Sequence, residues 1–213
     1  MTSSSTTARR LIVGITGASG FVYGHRLLEL LRPLDIEVHL IVSRAAQLTM
    51  ACETGLKLAD VTALADRYHK NDDIAACIAS GSYRTLGMVI APCSMKSLAE
   101  IATGNSSSLI TRAADVILKE RKRLVLMARE TPLTLVHLRN MLSVTEMGAI
   151  VVPPVPAFYA RPESLEQMVD HTLGRVLDLF DIDVSAVRRW TGPVSGRNHH
   201  TESFNEAATH EIL

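Results

Sequence analysis

The sequence predicts an α/β fold: one doubly wound parallel sheet with helices on both faces, three layers in all. Three observations carry this expectation. The short strand-like runs are apolar throughout instead of alternating, as in LIVGI (residues 11–15) and LGMVIAP (residues 86–92), the pattern of strands buried on both faces. Helical stretches separate these runs in regular alternation, which implies right-handed crossovers between parallel neighbours. The length of 213 residues, 47% hydrophobic and 21% charged, suits a single domain with one sizeable core.

Residues 1–9 (MTSSSTTAR) read as a disordered polar leader, too short for an amphipathic transit peptide. The domain is expected over 10–190. LIVGI forms the first strand and ends in the turn-rich TGASG; a helix over 21–31 follows, with Val22, Leu27, Leu28, Leu30 and Leu31 at apolar positions and Pro33 closing it. IEVHLIV (36–42) is the second strand, a helix begins over 45–52, and LGMVIAP is the third strand. SMKSLAEIATG reads as a helix ending at Gly104, and SLITRAADVILKERK (108–122) as a long amphipathic one. Then come a strand at 124–129, a helix at 133–147, a last strand at 149–153 and a final helix at 164–180. This order is Rossmann- or flavodoxin-like. Residues 191–213 are a polar tail carrying His199, His200 and His210, expected to be disordered or to pack on a neighbouring subunit.

Composition removes several function classes. Twenty-two basic against twenty-two acidic residues leave no net charge, so no global field draws the chain to nucleic acid or an anionic membrane. Aromatic content of 4% is too low for the stacking platforms of a single-strand binder. No apolar run approaches the roughly 20 residues of a membrane span, and the N-terminus lacks the apolar core of a secretory signal, so none is expected. Cys52, Cys77 and Cys93 show no CxxC spacing and no Cys/His pairing. A disulfide framework and a structural zinc site are therefore not expected, and the expected compartment is the reducing cytoplasm.

Open α/β sheets bind ligands beyond the carboxyl ends of their strands, so the loops there carry the chemistry. After the first strand, the small residues of Gly14-Ile15-Thr16-Gly17-Ala18-Ser19-Gly20 let backbone approach an anion at a helix N-terminus; a ligand-free tight turn has the same composition. The second strand ends in Ser43-Arg44 instead of the acid that holds a ribose in NAD sites, which favours a mononucleotide such as FMN over NAD. Ser43 serves equally as a plain helix cap. The third strand leads into Cys93-Ser94-Met95-Lys96-Ser97, where Ser94 and Ser97 place hydroxyls at a helix start. Cys93 is a nucleophile in form only: no histidine lies near, and inert packing is the favoured reading. Arg129-Glu130 follows the next strand; Arg suits a phosphate and Glu suits proton transfer, and a structural ion pair would explain the two as well. Lys119 sits in a basic helix end that dipole complementarity alone explains. The loop PPVPAFY, ending at Tyr159, has the character of an apolar pocket wall.

In this order GITGASG, APCSMKSL, RAADVILKER, LVLMARETPL, HLRNM and PPVPAFY resemble one family, the UbiX-like flavin prenyltransferases, which includes small proteins encoded alongside aromatic-acid decarboxylases. The match runs from about residue 10 to residue 190; the leader and the tail after Trp190 carry no family motif. The resemblance implies metal-free transfer of a dimethylallyl group from dimethylallyl monophosphate to reduced FMN, at N5 and then C6. The product, prenylated FMN, passes to a UbiD-like decarboxylase. It implies FMN binding by Gly17, Ala18, Ser19, Ser43, Ser94, Met95, Lys96, Ser97 and Arg129. Tyr159 and Arg175, with Lys119 and Glu53 from a neighbouring subunit, would line the prenyl-phosphate site, with Glu130 as acid/base. A homo-oligomer, a dodecamer built of trimers, is also implied.

Two other functions share this fold class. An FMN-dependent cysteine decarboxylase would carry an early catalytic histidine and a PxMNxxMW-type string, and no such string occurs. A non-catalytic FMN-binding subunit of an aromatic-acid decarboxylase would have no use for Glu130, Tyr159 and Arg175 together.

Overall fold

Every residue of the strand Gly87–Cys93 is buried, which requires cover on both faces of the sheet. The computed structural model describes residues 9–184. Its six strands are β1 (Arg10–Ile15), β2 (Glu37–Val42), β3 (Arg67–His69), β4 (Gly87–Cys93), β5 (Arg123–Ala128) and β6 (Ile150–Val151). All pair in parallel, in the order β3-β2-β1-β4-β5-β6, the Rossmann order, with its topological switch between β1 and β4. Alternate residues of β1 enter opposite cores: Leu11, Val13 and Ile15 on one face, Ile12 on the other. The helices are α1 (Phe21–Leu31), α2 (Arg44–Glu53), α3 (Leu58–Thr62), α4 (Met95–Ala102), α5 (Leu109–Lys119), α6 (Leu135–Glu146) and α7 (Leu165–Asp178).

The predicted fold class holds, with differences at the margins. β3 and α3 lie in a stretch for which the apolar pattern predicts nothing, because β3 is a three-residue edge strand with two exposed residues. The leader through residue 8, Trp190, and the tail with His199, His200 and His210 lie outside the described residues. Among the described residues no helix is long and apolar enough to cross a membrane.

Most helix starts are set by hydroxyl caps. Ser43 accepts from Ala46 N–H at 3.1 Å, Ser94 from Ser97 N–H at 3.3 Å, and Thr134 from His137 N–H at 3.3 Å. One helix face is left bare. Leu135, Val136, Leu138 and Leu142 of α6 are exposed, as are Val155, Phe158 and Leu165 nearby in sequence. A patch of this kind marks an interaction surface.

Candidate active site

The strand-end loops are tied together by one buried side chain. Thr16, 1% exposed, donates its hydroxyl to the Pro92 carbonyl at 2.8 Å and accepts from Ser94 N–H at 2.7 Å. Ser43 N–H bonds the Ile15 carbonyl at 3.0 Å, and Arg129 N–H bonds the Cys93 carbonyl at 3.2 Å. The ends of β1, β2, β4 and β5 are thus stitched edge to edge. Thr16→Val keeps the shape but orphans Ser94 N–H, and should cost about 1–3 kcal/mol. A urea midpoint lowered at unchanged m-value checks this; a parent-like midpoint contradicts it.

Beside this seam lies a crevice of ≈ 380 Å³. Of the expected FMN residues it gathers Gly17, Ser43, Ser94, Lys96 and Ser97. The close approach of β1 and α2 demands glycine at 17, where a Cβ would stand 2.4 Å from the Ala45 Cβ. Ser43 and Ser94 each use their oxygen as helix-cap acceptor; Ser94 passes its proton to Ser97 Oγ at 3.2 Å, which leaves the hydroxyls of Ser43 and Ser97 to donate elsewhere. Ala18 is buried and Met95 packs against the core formed by α4 and α5. Lys96 reaches Glu100 at 3.0 Å on the rim.

A second group forms at the start of α1. The Glu53 carboxylate accepts from Gly20 N–H at 3.0 Å and from Phe21 N–H at 2.8 Å, and bonds the Ser19 side chain. Burial pushes its pKa up, but the Ser19 hydroxyl, these N–H groups and the nearby Arg129 guanidinium outweigh that and hold it below the ordinary carboxylate range. The sequence expectation gave Glu53 to a neighbouring subunit. Within one chain the carboxylate reaches this loop because α2 ends beside it.

The remaining expected residues are spread. Arg129 and Glu130 are both exposed, and among the described residues no ion pair joins them; Glu130 accepts from Thr131 N–H at 3.0 Å. The structural-pair reading of Arg129-Glu130 falls away. Lys119 ends α5 and bonds Glu120 at 2.6 Å, ahead of the amino end of β5. Arg175 lies in the last turn of α7 and pairs with Asp178. That helix end packs toward the same amino edge, where Asp181 bonds Arg123 at 3.0 Å. Tyr159 is half-exposed, its hydroxyl 3.4 Å from His171 Nε2. One chain thus unites the Ser43, Ser94 and Glu53 groups and holds Lys119 and Arg175 away from them. Cys93 is fully buried, its thiol pushed up to about 12 by burial; it packs and does not react.

Sequence reasoning missed Arg44, Asn71, Glu100 and Ser108 as crevice residues, and Thr16 as the tie. Thr16 lies inside a motif whose glycines alone draw notice. Glu100 had a signal, its i,i+4 spacing from Lys96. Asn71 had none, since it follows the unpredicted β3.

A Rossmann-order sheet with a hydroxyl-lined crevice at its switch point and no acid after β2 defines a nucleotide-binding protein of the flavoprotein class. The chain matches the Flavoprotein family over residues 1–188. It is 55% identical over 187 residues to the flavin prenyltransferase UbiX of Escherichia coli (strain K12), covering 86% of this chain and 99% of that one. It superposes with a TM-score of 0.85 at 52% identity on AnUbiX (PadA1) crystallised with FMN and dimethylallyl pyrophosphate, covering 86% of this chain and 98% of that one. A dodecameric FMN-dependent UbiX-like decarboxylase from Escherichia coli O157:H7 superposes at 0.84 and 49% identity, covering 86% and 100%. This chain belongs to the UbiX-like flavin prenyltransferase family.

Proposed function

We propose that this protein is a flavin prenyltransferase. It joins the dimethylallyl group of dimethylallyl monophosphate to N5 and C6 of reduced FMN, and supplies prenylated FMN to a UbiD-like decarboxylase. The observation that carries the reading is the crevice at the β1–β4 switch, where Gly17, Ser43, Ser94 and Ser97 meet and Ser43-Arg44, with no acid, follows β2. These residues fit a flavin mononucleotide: the volume suits a small ligand, the glycine at 17 lets the loop after β1 lie against the start of α2, and two free hydroxyl protons with the N-termini of α2 and α4 suit a phosphate. Reduced FMN supplies the nucleophilic atoms and a π-surface for the developing allyl cation.

The chain's own residues supply the rest. Lys119, Arg129 and Arg175 bring positive charge to the departing phosphate oxygens, the task a metal ion performs in diphosphate enzymes. Glu130 moves a proton at that phosphate. Glu53, fixed on Ser19, Gly20 and Phe21, holds the loop that borders the flavin and pairs electrostatically with Arg129. The apolar 153–159 loop with Tyr159 keeps water from the cation.

Lys119 and Arg175 reach a crevice only if a neighbouring subunit contributes them, so the active form is a homo-oligomer, a dodecamer by analogy with its relative. The bare α6 face supplies the contact surface such an assembly needs. A cytoplasmic setting fits three cysteines left as free thiols.

Arg175→Ala should raise the apparent KM for dimethylallyl monophosphate and leave FMN affinity intact, while Arg175→Lys is milder because a point charge still serves a phosphate. Steady-state prenylation beside an FMN fluorescence titration separates the two. Loss of FMN binding in both variants would make Arg175 structural and remove it from the donor site.

A further inference from the structure

His39 is an imidazole flanked by Val38 and Leu40, fully buried in β2. The flavin crevice makes no use of it. Its Nδ1 lies 2.9 Å from His69 Nε2, at the end of β3, with the two rings nearly coplanar. Cys77 begins a short 3₁₀ turn (Cys77–Ala79) above them. One ligand atom from each of these three residues falls within 4.8 Å of the others. The sequence shows no Cys/His pairing; the fold creates one.

The surroundings are those of a metal's outer shell. A ligating histidine ordinarily donates its second ring N–H to a carboxylate, which fixes the tautomer and aims the other nitrogen's lone pair at the ion. His39 does this: its Nε2 faces Glu37 Oε1 at 3.2 Å and the Tyr83 hydroxyl at 3.0 Å. Glu37 is held in turn by Arg10 at 2.7 Å and Arg67 at 3.1 Å. The positive charge nearest the cluster is thereby already paired. His39 Nδ1 is left as a bare acceptor turned toward His69, and the Tyr83 hydroxyl bonds the Cys77 thiol.

We propose that His39 Nδ1, His69 Nε2 and Cys77 Sγ form a site for a borderline-soft divalent cation of the zinc class, separate from the flavin crevice and from prenyl transfer. Two imidazoles and a thiolate are the donor set such ions select, with water or the Tyr83 hydroxyl as fourth ligand. Tetrahedral binding at a metal–nitrogen distance of about 2.0–2.1 Å sets the nitrogens about 3.3 Å apart, a small opening from 2.9 Å. On binding, His69 moves its ring proton from Nε2 to Nδ1 and Cys77 releases its thiol proton to solvent; no electron moves. The ion would clip the segment from His69 to Tyr83 onto the sheet. That segment carries Asn71, which caps α5 through Leu109 N–H at 2.8 Å and Ile110 N–H at 3.1 Å and lines the flavin crevice. The site thus braces one wall of the crevice.

Titration of the metal-stripped full-length protein with Co²⁺ tests this. The parent should develop a thiolate-to-cobalt charge-transfer band that saturates at one ion per chain and bleaches on adding Zn²⁺. Cys77→Ser and His69→Gln should each lose the band, and Cys52→Ser should keep it. The histidines of the tail bring no thiolate and cannot imitate this signal. No thiolate band in the parent, or its survival in Cys77→Ser or His69→Gln, would overturn the proposal. A measurement on the parent alone guards against misfolded variants: Zn²⁺ should slow iodoacetamide labelling of Cys77 about tenfold or more while sparing the Cys52 rate, because only the free thiolate reacts. Unchanged labelling of Cys77 would equally overturn it.

Discussion

Glu130→Gln should fold, assemble and bind FMN, yet lose about 10²–10⁴-fold in turnover, the contribution of a positioned acid/base group. The side-chain geometry makes this substitution clean. Glu130 accepts a single hydrogen bond, from Thr131 N–H, and the glutamine carbonyl oxygen can accept the same bond. No ion pair is broken, because none joins Glu130 to Arg129 among the described residues. What disappears is the ability to carry a proton at the departing phosphate. Single-turnover prenylation, measured at saturating donor, isolates that step. Turnover near the parent rate would end the proton-transfer role, and no structural pairing with Arg129 would remain to explain the residue.

Gly17→Val attacks the flavin seat instead of the chemistry. A Cβ at this position would meet the Ala45 Cβ at 2.4 Å and the Ala45 carbonyl carbon at 3.1 Å, closer than unbonded carbons tolerate. Ala45 belongs to the first turn of α2 and cannot give way as a flexible side chain does, so the helix start must shift, carrying Ser43 with it. Overpacking of this sort costs about 1–3 kcal/mol, and if that strain falls on the bound state FMN affinity drops about 5- to 150-fold. Fluorescence titration with FMN reads the loss directly. An unchanged dissociation constant would show that the seat does not lie between β1 and α2.

Most of the fold was legible because burial writes itself into composition. β1, β2, β4 and β5 are apolar on successive residues, and α1 is bounded by a glycine-rich turn and Pro33, so its predicted range matches the observed Phe21–Leu31. β3 was invisible for the opposite reason: an exposed edge strand of Arg67, Tyr68 and His69 has no apolar run to betray it. The crevice residues next to strand ends, Gly17, Ser43, Ser94 and Ser97, could be read from topology alone. Glu53 could not be placed that way, since only tertiary packing brings the end of α2 onto the start of α1. The His39–His69–Cys77 cluster was hidden for a related reason: His39 is 30 residues from His69, and the unpredicted β3 supplies His69. The one trace of it in the sequence is a histidine inside IEVHLIV.

The most direct test is anaerobic incubation of the purified oligomer with reduced FMN and dimethylallyl monophosphate, followed by mass analysis of the flavin released on denaturation. The flavin should gain one prenyl unit, with phosphate released in equal amount and no requirement for added metal. Flavin that binds but is recovered unmodified, with donor intact, would contradict prenyl transfer and leave a flavin-binding subunit in its place.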